Sequence, residues 1–157
     1  MHVVRGKLLE ALPNWGSVYT VEADITVTKR PARSKNRINI FYFRPSSCTK
    51  FGDSLIPAVY LSSRTFVICS TDDVFCGGFS KEVGFELGKK YHLMIQQIKQ
   101  NGKTIYTIKV NGNKIWSVEN FAARTFHYVQ VYVSEPSFEA FTSEYGILSN
   151  FKYSKGK

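Results

Sequence analysis

Apolar and polar residues alternate with a period of two along much of this 157-residue chain. In SVYTVEADITVTK, the apolar residues Val21, Ala23 and Ile25 fall on one face, and threonines and acidic residues fall on the other. The segment HYVQVYVS repeats the pattern with valines on one face. A period of two is typical of β-strands with one buried face, so both segments are predicted to be half-buried strands.

Two Asn-Gly pairs divide the segment YHLMIQQIKQNGKTIYTIKVNGNKIWSV into three alternating runs. Both residue types tolerate the positive φ angles that tight hairpin turns require. The pairs Asn101-Gly102 and Asn111-Gly112 therefore predict three consecutive antiparallel strands.

The whole chain contains ten to twelve such short runs and no helical repeat. Its 157 residues suit one domain, and 15% of them are aromatic, which favours strands. We therefore predict an all-β fold in which residues 1–157 form a single two-sheet antiparallel β-sandwich.

The segment GKKYHLMIQQIKQNGKTIYTIKVNGNKIWSV resembles the central meander of concanavalin A-like, laminin-G-like jelly rolls. It shares their Gly-x-x-aromatic-His entry and their strand that ends in an Asn-Gly turn. The flanks GKLLEALPNWGSVYTVEADITV and VQVYVSEP are similar to the opening and closing strands of such domains in invertebrate extracellular proteins. The resemblance runs from about Gly6 to Tyr153.

This resemblance implies a jelly roll in which the first strand, near residues 6–12, pairs with the last, near residues 146–154. It does not choose a function, because the fold hosts lectins, adhesion modules, glycan-trimming enzymes and structural spacers. The galectin sugar-binding pattern and the legume-lectin metal cluster are missing from this sequence. No sugar-binding or metal-binding residues are therefore carried over from these families.

The candidate glycan-binding residues are aromatic and planar polar side chains on strands. Tyrosine rings can contact the C–H surface of a sugar, and amide or guanidinium groups can bind its hydroxyls. We expect one sheet to present the following set: Tyr128, Gln130, Tyr132, His92, Gln96, Tyr42 and Arg44. The alternative is that these aromatic residues are half-buried packing residues.

Lys and Arg outnumber Asp and Glu by 21 to 12, which gives a formal charge of +9 and favours anionic partners. The segment KRPARSKNR is the strongest candidate for anion binding, with the basic residues Lys29, Arg30, Arg33, Lys35 and Arg37. The alternative is a solvated loop with no partner. The sequence argues against nucleic acid, because basic and aromatic residues do not interleave in any recognisable motif.

Candidate catalytic and metal sites are sparse. Glu22 and Asp24 have the spacing of a paired-carboxylate site on one strand face, but two solvated carboxylates explain them more simply. The three histidines are scattered, so we expect the protein not to be an enzyme. No cofactor is expected, and the one weak calcium candidate is the turn that contains Asp72 and Asp73.

Three cysteines leave at least one without a partner in the chain. Cys69 and Cys76 flank a polar turn and are candidates for a disulfide, although two buried thiols fit equally well; the state of Cys48 stays open. The N-terminus lacks the features of a signal peptide, and no apolar run is long enough for a membrane span. We expect a mature extracellular form or one domain of a larger chain.

Together these patterns favour a non-enzymatic extracellular recognition module whose partner is a glycan or an anionic polysaccharide. The alternative is a structural or cell-adhesion domain that binds a protein, or self-associates into a homo-oligomer, without a sugar ligand.

Overall fold

Two antiparallel β-sheets pack face to face in the computed structural model of the protein. The structure describes residues 7–32, 38–45, 57–70, 79–121, 125–133, 141 and 144–156. No helix occurs among these residues, and hence none that could span a membrane. The predicted all-β sandwich is confirmed. Its strands are β1 Lys7–Trp15, β2 Tyr19–Val27, β3 Ile38–Pro45, β4 Ala58–Leu61, β5 Thr65–Ser70, β6 Phe79–Gly84, β7 Lys90–Gln100, β8 Lys103–Val110, β9 Asn113–Glu119, β10 Phe126–Val133 and β11 Gly146–Lys155.

The larger sheet contains six strands in the order β1-β10-β3-β4-β5-β6, and the smaller contains five in the order β11-β2-β7-β8-β9. All neighbouring strands in both sheets are antiparallel. Each sheet therefore turns one face to the core and one face away from it. The two outer faces lie on opposite sides of the sandwich, which decides which candidate residues can act together.

The alternating apolar residues form the core between the sheets. Val21, Ala23 and Ile25 of β2 and Val129 and Val131 of β10 have no exposed surface. The polar residues between them on β2 are partly exposed, as the period of two predicts. The two most clearly alternating segments of the sequence thus supply one core strand to each sheet.

Both Asn-Gly pairs form the predicted hairpin turns. Asn101 and Gly102 have φ angles of 52° and 76°, and Asn111 and Gly112 have φ angles of 51° and 82°. Positive φ at both central residues is the geometry of a type I′ turn, whose twist matches that of the flanking strands. Strands β7, β8 and β9 follow each other in the sheet, as the turns predict.

The predicted pairing of the first strand with the last is wrong. β1 pairs with β10 at the edge of the six-stranded sheet, and β11 pairs with β2 at the edge of the five-stranded sheet. Side chains connect the two strands, since the Tyr153 hydroxyl donates to the Glu10 carboxylate. β1 also extends beyond residue 12 and contains Pro13, because proline is tolerated in an edge strand.

Candidate functional site

Four of the predicted glycan-binding residues lie together on the outer face of the six-stranded sheet. The register pairs Gln130 with Arg44 and Tyr132 with Tyr42 across β10 and β3. The two tyrosine rings stack at a centroid distance of 5.5 Å and an interplanar angle of 21°. The Tyr132 hydroxyl also donates to Gln130 Oε1 at 3.4 Å. We call this group the tyrosine-arginine cluster.

The members of this cluster differ in exposure. Tyr42 is only 1% exposed, whereas Arg44, Gln130 and Tyr132 are half-buried. The buried Tyr42 ring therefore packs against the Tyr132 ring, and the other three residues present the accessible polar surface. Arg44 is the only cation among them, so an acidic ligand suits this surface better than a cationic one.

Tyr128, two residues before Gln130, is 68% exposed and has a φ angle of 53°. A positive φ is rare for a bulky residue and costs roughly 1–2 kcal/mol. Because this cost comes with an exposed aromatic ring, Tyr128 is a candidate contact for a partner.

A second apolar cluster occupies the same outer face beside β3. Tyr42 packs there with Ala58 and Tyr60 of β4 and with Val67 and Cys69 of β5, and each of these residues is at most 5% exposed. The sequence contained a signal for this cluster, because AVYL and FVIC are continuous apolar runs, which are typical of strands buried on both faces. The accessible part of this face is therefore restricted, among the residues described, to the area near β10 and the end of β3.

His92 and Gln96 do not join this cluster. Both belong to β7 in the five-stranded sheet, so the expectation that one sheet presents all seven residues is wrong. Gln96 Nε2 donates to Thr20 Oγ1 at 3.3 Å, and His92 lies against the β2 carboxylates. The reason is topological, because β7 pairs with β2 and β8, neither of which neighbours β10.

Glu22 and Asp24 form a polar cluster with His92, Asn150 and Lys152 on the outer face of the five-stranded sheet. His92 Nδ1 lies 2.7 Å from Asp24 Oδ1, and Asn150 Nδ2 donates to Asp24 Oδ2 at 2.6 Å. Lys152 Nζ lies 2.7 Å from Glu22 Oε1. We call this group the β2 polar cluster, since it joins β2 to both of its neighbours.

The electrostatics of the β2 polar cluster favour the ionised carboxylates. The hydrogen bonds from Asn150 and from His92 lower the pKa of Asp24 below its ordinary value of 3.8. The hydrogen bond to Glu22 raises the pKa of Lys152 above 10.5. The side chains of Glu22 and Asp24 are only 12% and 14% exposed, so they are not the fully solvated pair that the sequence suggested.

The described part of the predicted basic loop makes internal contacts. Lys29 Nζ forms an ion pair with Glu144 at 2.8 Å, and Arg30 donates to the backbone carbonyls of Ser63 and Phe85 at 2.9 and 3.3 Å. Arg33, Lys35 and Arg37 lie outside the described residues. Anion binding by this loop stays a prediction.

The metal and disulfide predictions fall mainly outside the described residues. Asp72 and Asp73 are not described, and the described residues contain no group of three or more ligating side chains that could hold a metal ion. Cys69 is disulfide-bonded, but Cys48 and Cys76 are not described. A Cys69–Cys76 bridge therefore stays a prediction.

Comparisons with known proteins give structural matches only. No protein-family model and no curated protein sequence matches the chain. A heptameric SAP-like pentraxin from Limulus polyphemus matches with a TM-score of 0.61 and 17% identity over 93% of this chain and 67% of the pentraxin. An alginate lyase from Pseudomonas aeruginosa matches with a TM-score of 0.57 and 15% identity over 91% and 68%. Sheep galectin-11 matches with a TM-score of 0.50 and 12% identity over 97% and 99%.

The chain has the concanavalin A-like fold. This agrees with the resemblance noted in its central meander, and the identities are low enough that the matches establish the fold alone. The expectation that the protein is not an enzyme is wrong, because several of the proteins that match this fold are enzymes. They include alginate lyases and a sialidase from Trypanosoma rangeli.

Proposed function

We propose that this concanavalin A-like domain binds an acidic carbohydrate at the tyrosine-arginine cluster. The observation that carries the proposal is the register that sets Arg44 beside Gln130 and Tyr132 beside Tyr42. A guanidinium can bind a carboxylate through two parallel hydrogen bonds, and the neighbouring amide can donate to or accept from sugar hydroxyls. The half-exposed Tyr132 ring adds an apolar surface for sugar C–H groups.

Two further observations support this proposal, and a third concerns the location of the protein. The chain carries a formal charge of +9, which favours an acidic partner. Proteins that contain this fold include an alginate lyase in complex with its product and, over 20% of its chain, a sialidase in complex with sialic acid. The disulfide at Cys69 fits an oxidising compartment, so we also propose an extracellular location.

Isothermal titration calorimetry with a uronic-acid oligosaccharide and a neutral oligosaccharide of equal length tests the proposal. We expect saturable binding of the acidic ligand, weaker binding of the neutral one, and a loss of about tenfold or more in affinity for Arg44→Gln. Arg44→Lys should keep more affinity than Arg44→Gln but less than the parent protein, because an ammonium cannot form a bidentate hydrogen bond with a carboxylate. Tyr132→Phe should weaken binding to a smaller extent, since it removes one hydroxyl and keeps the ring.

Lys103→Gln is the matched control, because Lys103 is an exposed cation next to the β7–β8 turn and its loss changes the net charge equally. Equal losses for Arg44→Gln and Lys103→Gln would mean that binding depends only on net charge, and the proposal would be rejected. The chain length of the oligosaccharide after incubation reports whether binding leads to cleavage.

A further inference from the structure

A groove separate from the tyrosine-arginine cluster opens at one end of the sandwich. It lies where the chain after β2 passes the β4–β5 turn and the end of β6, and it encloses about 530 Å³. Arg30 and Arg64 lie on its wall, and the remaining lining residues are Pro31, Ser63, Gly84 and Phe85. The groove is far from the tyrosine-arginine cluster. Ile38 pairs with Leu61 beside the β4–β5 turn, and Arg44 lies six residues further along β3, which is roughly 20 Å in an extended strand.

Arg30 is fixed in this groove by contacts with three groups. Its Nη1 donates to the Ser63 carbonyl at 2.9 Å, its Nη2 donates to the Phe85 carbonyl at 3.3 Å, and its guanidinium carbon lies 4.8 Å from the centre of the Phe85 ring. These bonds use two of the five N–H donors of an arginine. Because the guanidinium is planar, fixing two donors also fixes the direction of the other three. They have no acceptor among the residues that the structure describes.

Arg64 lies in a turn whose backbone is held in place. Ser62 N donates to the Thr65 carbonyl at 2.9 Å, and Thr65 N donates to Ser62 Oγ at 3.1 Å. The Arg64 carbonyl accepts from Phe85 N at 3.4 Å, which ties the turn to the end of β6. The Arg64 side chain is exposed and has no ion pair within the described ranges.

The nearby acidic residues Glu82 and Glu86 do not form ion pairs with Arg30 or Arg64 in the described part of the chain. Glu82 accepts a hydrogen bond from Thr65 Oγ1 at 3.5 Å, and Glu86, the residue after Phe85, is exposed. By contrast, Lys29 is ion-paired with Glu144. The two guanidiniums therefore line one groove, and no carboxylate of the described residues is bonded to either; the buried Pro31 and Phe85 form its apolar wall.

We propose that this groove binds an oxyanion group, namely a carboxylate, sulfate or phosphate, between Arg30 and Arg64. Planar guanidiniums match the oxygen geometry of these groups, and a guanidinium that is already fixed loses little conformational entropy on binding. The proposal does not depend on the tyrosine-arginine cluster, since it concerns different residues at a different end of the sheet.

Nuclear magnetic resonance of the isotope-labelled full chain tests this site with sodium sulfate and sodium phosphate, against sodium chloride at equal ionic strength. We expect saturable shifts of the backbone amides of Arg64, Gly84 and Phe85 with at least one of the two oxyanions and none with chloride. Arg64→Gln should weaken binding about tenfold or more, while Lys103→Gln should leave it unchanged. Arg64 carries the test because its side chain is exposed, so its replacement leaves the fold intact.

Parallel titrations with uronic-acid and sulfated oligosaccharides identify the source of the oxyanion. Stronger binding of either oligosaccharide than of the free ion, still dependent on Arg64, assigns the site to an acidic saccharide, whereas equal binding assigns it to the free ion. Shifts that do not saturate, or equal losses in Arg64→Gln and Lys103→Gln, would overturn the proposal. Arg44→Gln should leave this binding intact, so that the site and the proposed carbohydrate function can fail separately.

Discussion

Replacing Asp24 with asparagine tests whether its charge joins β2 to both neighbouring strands. The Asp24 carboxylate accepts one hydrogen bond from Asn150 on β11 at 2.6 Å and contacts His92 on β7 at 2.7 Å. Asparagine keeps the size of the side chain and one acceptor oxygen but removes the charge. The substitution therefore removes the charge from both contacts and replaces the acceptor oxygen of one of them with an amide N–H donor.

The expected loss follows from the number and type of these contacts. A hydrogen bond to a charged group contributes about 1.5–3 kcal/mol, against about 0.5–1.5 kcal/mol for a neutral pair. Losing the charge-assisted part of one contact and the whole of the other would cost about 2.5–4.5 kcal/mol. We take roughly 1–2 kcal/mol, because the cluster lies on the outer face of the sheet, where solvent screens the charge. For a domain of this size, the melting temperature should fall by about 2–8 °C.

The stability difference between Asp24→Asn and the parent protein should shrink as the pH falls. The pKa of Asp24 is lowered in the folded state, so its contribution is present above about pH 3.8 and is lost as the pH falls through the folded-state pKa. Asp24→Asn and the parent protein should therefore differ at pH 7 and converge in strong acid.

Urea unfolding followed by tryptophan fluorescence measures this difference across a pH series. The denaturant dependence should stay unchanged, since the substitution alters stability and not the surface exposed on unfolding. Glu86→Gln is the matched control, because Glu86 is an exposed carboxylate outside the β2 polar cluster. A difference between Asp24→Asn and the parent protein that stays constant down to strong acid would refute the reasoning.

Three further predictions concern the fold. A Cβ at Gly146 would lie 2.1 Å from the Thr26 carbonyl oxygen, so Gly146→Ala should cost about 2–3 kcal/mol in urea unfolding, whereas the unobstructed Gly84→Ala should cost little; equal effects would contradict the β11–β2 packing. Tyr128→Gly should stabilise the fold by up to about 1 kcal/mol and weaken saccharide binding, because relief of the positive φ, about 1–2 kcal/mol, exceeds the roughly 0.5–1 kcal/mol entropy cost of glycine; a less stable variant would show that the backbone is not strained. Burial raises the pKa of Tyr106 well above 10.0, so above about pH 10 the hydroxyl ionises in the unfolded state first and the free energy of unfolding should fall. Tyr106→Phe should lose less stability in this range, and identical alkaline unfolding of both proteins would contradict the prediction.

Strand positions were predictable from the sequence, but several strand partners were not. The alternation around Ala23 and Val131 identifies which face is buried, and the Asn-Gly pairs identify tight turns. Neither signal specifies which distant strand lies alongside. The pairing of β1 with β10, and not with β11, is therefore a property of the assembled sandwich that periodicity cannot reveal.

The candidate sites were predictable only in part for the same reason. Gln130 and Tyr132 share a face because they are two residues apart on one strand, and that relation is local. His92 has the same kind of local signal, but its strand belongs to the other sheet. The bonds of Arg30 to carbonyl groups 33 and 55 residues away are likewise long-range contacts with no local pattern.

The most direct test of the proposed function is a map of amide shifts when a uronic-acid oligosaccharide is added to the isotope-labelled chain. The account predicts saturable shifts at Arg44, Gln130 and Tyr132 that disappear in Arg44→Gln and persist in Lys103→Gln. Shifts confined to the outer face of the five-stranded sheet, at Asp24 and His92, or no saturable shifts at all, would contradict it.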